Sequence, residues 1–115
     1  MAELRRADLG IWLINLDRDT GRLAGMQRQL DAMGLGYTRF AAIDGRAQAD
    51  ELAPRVDAAA YARNMGQAVS AGHMGCYSSH VAVWEQVAQA AQPVALILED
   101  DVVFHDDFLD SLDAA

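Results

Sequence analysis

Ala95-Leu96-Ile97-Leu98-Glu99-Asp100-Asp101-Val102 is a short apolar run that ends abruptly in three consecutive carboxylates. Aliphatic residues packed this densely over so few positions read as a strand buried on both faces, the pattern of a parallel sheet. In open α/β sheets, ligands bind in the crevice beyond the carboxyl ends of the strands. The three acids fall at that end. Crowded carboxylates repel one another, and a divalent cation is the simplest partner that would offset the cost.

Upstream, Ile11-Trp12-Leu13-Ile14-Asn15-Leu16 reads as a first buried strand. Asp17 to Gly21 makes the turn, with Asp19 or Thr20 as the helix cap. Leu23, Met26, Leu30 and Met33 recur at three- and four-residue spacing, the stripe of an amphipathic helix, and Gly34 is placed to end it in the left-handed conformation. Tyr37 to Ile43 reads as a second strand closed by the turn pair Asp44-Gly45. Strand, helix, strand with short connections is a βαβ unit and implies parallel strands.

The middle is less regular. Ala49 to Arg63 has a helical composition, with Pro54 tolerable only near a helix start. Asn64 to Gly75, with three glycines, reads as a loop. From Cys76 onward, Tyr77, Val81, Trp84, Ala88 and Ala91 form one helical face, and Pro93 marks its end. Trp12 and Trp84 are expected in the core, and Cys76 is expected as a small buried hydrophobe. After the acidic strand, Asp106 is placed to cap a last helix carrying Phe108, Leu109 and Leu112.

Composition bounds the function. The 115 residues are 52% hydrophobic and 23% charged, as in an ordinary globular domain. Net charge is −8, and all nine basic residues of the Lys+Arg class are arginine. Such acidity argues against nucleic acid as a partner, and the absence of lysine removes both a P-loop and a phosphoacceptor signalling domain. One cysteine excludes an intramolecular disulfide and a cysteine zinc cluster. Met1 to Asp8 lacks the apolar core of a leader, and no stretch reaches the about 20 apolar residues of a membrane span. The expected setting is cytoplasmic, with peripheral association at an inner membrane compatible with it.

Three blocks, taken together, resemble the amino-terminal half of glycosyltransferase family 25, which includes bacterial lipooligosaccharide galactosyltransferases and collagen galactosyltransferase domains. They are Ile14-Asn15-Leu16-Asp17-Arg18 with Arg22; Phe40-Ala41-Ala42-Ile43-Asp44-Gly45; and Gly75-Cys76-Tyr77-Ser78-Ser79-His80 with Trp84, leading to Leu98-Glu99-Asp100-Asp101. One departure is Ala71-Gly72-His73-Met74, which stands where the family carries a glycine–glutamate pair. Family members are also longer, so the single domain 1–115 reads as the amino-terminal half of a larger one.

The resemblance implies an α/β, Rossmann-like parallel sheet of the GT-A type, truncated. It also implies transfer of a hexose, galactose foremost, from a uridine diphosphate sugar to a glycan acceptor such as lipooligosaccharide. Mn²⁺ or Mg²⁺ would assist, because such an ion neutralises charge on the departing diphosphate. Hard oxygen ligands suit these ions. On an extended segment Glu99 and Asp101 share one side and are the expected metal ligands, while Asp100 faces away. A turn directly after Leu98 would bring Asp100 in as well. Asn15, Asp17, Arg18, Arg22, Asp44 and Asp100 are the expected donor-binding residues. Arginine's planar fork suits phosphate, and Asp44 is placed for the uracil or ribose. The plainer alternatives are a solvated acidic strand end, arginines bonded to Asp17 or Asp19, and a turn aspartate. His80, four residues before Trp84, is expected in a supporting role, positioning the donor or the acidic motif. The alternative function is a non-catalytic nucleotide-sugar-binding or scaffold domain. A half-domain would expose apolar surface that a homo-oligomer would cover.

Overall fold

The computed structural model describes residues 5–115, so residues 1–4 of the Met1–Asp8 reading lie outside the described residues. Three strands form one parallel sheet: β1 (Leu9–Asn15), β2 (Thr38–Ala41) and β3 (Val94–Glu99). Their order is β2-β1-β3. β1 is central, with Ile14 opposite Phe40 on one side and opposite Glu99 on the other. The chain leaves β1 toward β2 and later returns to β1's other side as β3. The two connections diverge there, opening a crevice beyond the carboxyl ends of β1 and β3.

α1 (Thr20–Ala32) makes the first crossover. Its buried Met26 and Leu30 meet Ile11, Leu13, Leu35 and Leu98 in the main core. Ile11 and Leu13 alternate along β1 and Leu98 pairs with Leu13 on β3, so these three share one face. Asp19 stands at the amino-terminal cap position but makes no side-chain cap bond. At the other end Gly34 adopts φ +69° and the Leu35 N–H donates to Leu30 O at 3.0 Å, closing the helix as the sequence predicts. The Gln29 side chain spans from α1 to the segment after β3. Its Nε2 donates to Val102 O and its Oε1 accepts from Phe104 N, both at 3.0 Å.

The middle departs from the reading. The expected helix over 49–63 is broken into α2 (Ala49–Leu52), a 3-10 turn at Ala53–Arg55 containing Pro54, and α3 (Ala58–Met65). Pro54 lacks the N–H that a continuous helix would need, and Asp57 restarts the helix by accepting from Ala60 N at 2.9 Å. The expected loop over 64–75 is already helical from Ala71, because Ser70 caps α4 (Ala71–Gln89) by accepting from His73 N. Gly72 and Gly75 each cost about 1 kcal/mol of helix propensity, which explains the loop-like reading. Tertiary contact overrides them.

The buried face of α4 is also different. Met74, Gly75, Ser78, Ser79 and Val83 are buried, whereas Tyr77 is 56% and Trp84 53% exposed. The expected aromatic stripe is therefore not the core face, and Cys76 is exposed rather than buried. Small residues win because α4 touches backbone. A Cβ on Gly75 would stand 2.6 Å from Gly45 N and 2.7 Å from Ile43 O, and one on Gly45 only 1.7 Å from Ala71 O. Ser79 Oγ completes the contact, accepting from Ile43 N at 2.9 Å and donating to Gly75 O at 2.7 Å. At the carboxyl end, α5 (Phe108–Ala114) follows Asp107, not the expected Asp106, and has no side-chain cap.

Substituting Gly75→Ala is expected to cost about 3 kcal/mol or more, because backbone lines the space its Cβ would need. Gly36→Ala, whose Cβ would meet nothing within 4 Å, serves as the control and should leave the urea midpoint nearly unchanged. Similar midpoints for the two variants would refute the close-approach account.

Candidate functional site

The carboxyl ends of β1 and β3, the turn after β2 and the start of α4 enclose an open cleft of about 480 Å³. Arg18, Arg22, Asp44, Cys76, Glu99, Asp100 and Asp101 all contribute to its walls. Residues from three distant blocks of the sequence thus meet in one cleft.

Asn15, the last residue of β1, is 2% exposed and organises the floor. Its Nδ2 donates to Asp100 Oδ2 at 2.8 Å and to Asp19 O at 3.1 Å. Its Oδ1 accepts from Arg39 Nε at 3.0 Å. A second Arg39 nitrogen donates to Asn15 O at 3.0 Å and to Asp17 Oδ1 at 2.7 Å. Asn15 and Asp17 therefore support the site from below and outside, and neither lines the cleft. Arg39 is the member that sequence reading missed. Its signal was a lone arginine inside a strand, which needs partners when the sheet is buried.

The three acids divide. β3 ends at Glu99 and the chain turns at Asp100 and Asp101. Asp100, its side chain only 12% exposed, has Oδ2 on Asn15 and Oδ1 3.4 Å from an Arg22 nitrogen. Its carboxylate is held away from Glu99, as alternation predicts, yet it still lines the cleft. Glu99 Oε1 lies 3.2 Å from His80 Nε2 and 3.4 Å from Cys76 Sγ. His80 sits edge-on to Trp84, ring centroids 6.3 Å apart, so the predicted helical neighbours do meet. Partial desolvation of its sulfur pushes the Cys76 thiol up, and the hydrogen bond to Glu99 and the charges of Glu99 and Asp101 push it further. Glu99 is therefore engaged by Cys76 and His80 of α4, and Asp100 by Asn15 and Arg22.

Arg18 pairs with Asp44 across the cleft mouth rather than with Asp17 or Asp19. Asp44 also accepts from Arg46 N at 3.1 Å, forming the turn before Gly45. Burial pushes the Asp44 carboxyl up, but the Arg18 hydrogen bond and the N–H groups of Ala47 and Arg46 outweigh it, holding it below its ordinary value. Both partners line the cleft.

The match to known proteins follows the same blocks. Residues 8–115 match the model of glycosyltransferase family 25, described as LPS biosynthesis protein. The chain belongs to glycosyltransferase family 25. Among the family's relatives, a glycosyltransferase 25 family member of Anopheles gambiae is 32% identical over 102 residues, covering 82% of this chain and 17% of that protein. Procollagen galactosyltransferase 1-A of Xenopus laevis is 28% identical over 98 residues, covering 82% of this chain and 16% of that protein. The inactive glycosyltransferase 25 family member 3 of Mus musculus is 29% identical over 102 residues, covering 85% of this chain and 17% of that protein. The family 25 chain therefore spans about a sixth of the length of these relatives. No solved structure matches it. Among the described residues no helix is long and apolar enough to cross a membrane.

Two outcomes test the electrostatics of this family 25 site. Asp44's depressed carboxyl contributes stability that is present above the unfolded carboxylate value of about 3.9 and lost as pH falls through the lower folded value. Arg18→Ala should therefore melt below the parent protein at pH 7, and the two curves should converge as pH falls below the ordinary carboxylate range and Asp44 becomes protonated in both. A difference that persists unchanged in acid would show that Arg18 acts otherwise. Glu99→Gln removes a hydrogen-bonded charge from Cys76, so the pH profile of Cys76 alkylation should move to lower pH. An unmoved profile would refute the contact.

Proposed function

We propose that this chain forms the donor-binding part of a hexosyltransferase that takes a uridine diphosphate sugar, galactose foremost, and passes the sugar to a glycan acceptor such as lipooligosaccharide. The observation that carries this reading is the charge layout of one cleft at the β1/β3 switch point. Carboxylates on β3 and its turn face arginines from the first βα connection across a space suited to a nucleotide.

The residues divide the work. Arg18 and Arg22, 55% and 58% exposed at the cleft mouth, are free to turn their guanidinium forks onto phosphate oxygens. Asp44, released from Arg18, accepts from the uracil or ribose. Asn15 and Arg39 hold Asp100 in a fixed orientation beneath them. Glu99 and Asp101, both on the cleft wall, supply oxygen donors of the kind Mn²⁺ or Mg²⁺ prefers, which supports this reading. When bound, the ion would offset the negative charge that builds on the departing diphosphate. His80 orients Glu99 through their 3.2 Å contact.

Thermal melting with uridine diphosphate and Mn²⁺ tests the reading. A ligand at 100 times its Kd stabilises the native state by about 2.7 kcal/mol, which for a chain of this size raises Tm by several degrees. The full increase should require both ligands and should be lost in Asp101→Asn. No increase with both ligands at millimolar concentration would overturn the donor site.

A non-catalytic nucleotide-sugar-binding domain is the second reading. It is favoured by the name of the mouse relative, an inactive family member, and by the engagement of both Asp100 oxygens within the protein. Binding of uridine diphosphate without turnover of a uridine diphosphate sugar would select it.

A further inference from the structure

Cys76, His80 and Glu99 form a cluster that the donor reading only partly uses. Each offers one ligand atom, and the three atoms lie within 4.8 Å of one another. Cys76 and His80 are four residues apart on α4, which places them one above the other on one helical face. Glu99 approaches from the end of β3, so two separate elements supply the ligands. We propose that Cys76 Sγ, His80 Nε2 and Glu99 Oε1 form a site for a borderline-soft divalent ion of the Zn²⁺ class, chemically distinct from a hard Mn²⁺ or Mg²⁺ site.

The spacing carries the inference. A tetrahedral Zn²⁺ with bonds of about 2.3 Å to sulfur and about 2.0 Å to nitrogen and oxygen has sulfur–oxygen and nitrogen–oxygen edges of about 3.5 and 3.3 Å. The structure shows 3.4 Å from Cys76 Sγ to Glu99 Oε1 and 3.2 Å from His80 Nε2 to the same oxygen. Two edges of the tetrahedron are therefore already formed, and the ion replaces the protons that now bridge them. Trp84, edge-on to the His80 ring at 6.3 Å, restricts how that ring turns. Cys76 is exposed and lines the cleft, which provides an entry path and leaves the fourth position to water. A thiolate and an imidazole favour Zn²⁺ over Mg²⁺ and Mn²⁺. The site shares Glu99 with the proposed donor ion, and only that competition rests on the donor reading.

Titration of the full chain with Co²⁺, an optical stand-in for Zn²⁺, tests the site without any nucleotide. The expected result is a near-ultraviolet thiolate-to-cobalt charge-transfer band that saturates at one equivalent and is bleached by Zn²⁺. The band should vanish in Cys76→Ser, and binding should weaken tenfold or more in His80→Ala. Absence of the band at millimolar Co²⁺, or an unchanged affinity in His80→Ala, would overturn the proposal. A measurement on the unaltered protein removes dependence on variants: Zn²⁺ should protect Cys76 from alkylation, and excess Mg²⁺ should not. Equal protection by both ions, or by neither, would also overturn it. Because uridine diphosphate is absent, failure here leaves the donor reading standing, and failure of the nucleotide melting test leaves this site standing.

Discussion

Backbone meets backbone where the turn at Gly45 lies against the first turns of α4, and no side chain fits between them. The geometry of the cleft depends on that contact. It sets the depth at which α4 settles on the sheet, and with it the reach of Cys76 and His80 toward Glu99. Ser79 bonds both partners, Ile43 N and Gly75 O, so the contact is held by directional bonds as well as shape. A bulkier residue at either glycine would lift the helix and open the site from behind. Hydrophobic burial alone would not specify this arrangement, because it tolerates sliding where a close backbone approach does not.

The electrostatics follow from how a strand end distributes its side chains. Successive residues point to opposite sides, so three adjacent acids need not repel as a group. Glu99 is drawn to the helix side by His80 and Cys76, and Asp100 to the core side by Asn15 and Arg22. Arg22 and Arg39 belong to α1 and β2, the two elements that β1 feeds. The same βα connection that builds the sheet therefore delivers the countercharges. Fold and site share one cause.

Much of this was legible in the sequence, for definite reasons. The strands around Leu13 and Leu98 and the stripe Met26–Leu30 are buried with a simple period, and Gly34 closes its helix with the backbone conformation glycine favours. The region from Ala49 to Gly75 was misread because its determinants are tertiary. Gly75 looks like a loop residue until Gly45 is placed beside it, and Trp84 looks like core until the small face of α4 is seen to lie inward. Arg18, Asp44 and the three acids stand next to strand ends within the family blocks, and that placement is what makes their presence at the cleft legible. Arg39 and Cys76 were not legible in this way, since their roles come from Asn15 and Glu99, 24 and 23 residues away in the chain.

Asn15 is buried with its amide nitrogen 2.8 Å from one carboxylate and its amide oxygen 3.0 Å from a guanidinium. The two ends of the amide are therefore not interchangeable: one must donate and the other must accept. Deamidation, the slow chemical ageing of asparagine, would alter a single atom and reverse one of those roles. The donor facing Asp100 would become a second negative oxygen at hydrogen-bonding distance, in a place water barely reaches. Protection against that lesion comes from the same surroundings that make it so damaging, because the Asn15 carbonyl is held by Ala42 N at 2.9 Å and by Arg39 at 3.0 Å, which resists the backbone rotation the reaction needs. The useful lifetime of the cleft is thereby tied to the integrity of one amide at the end of the central strand.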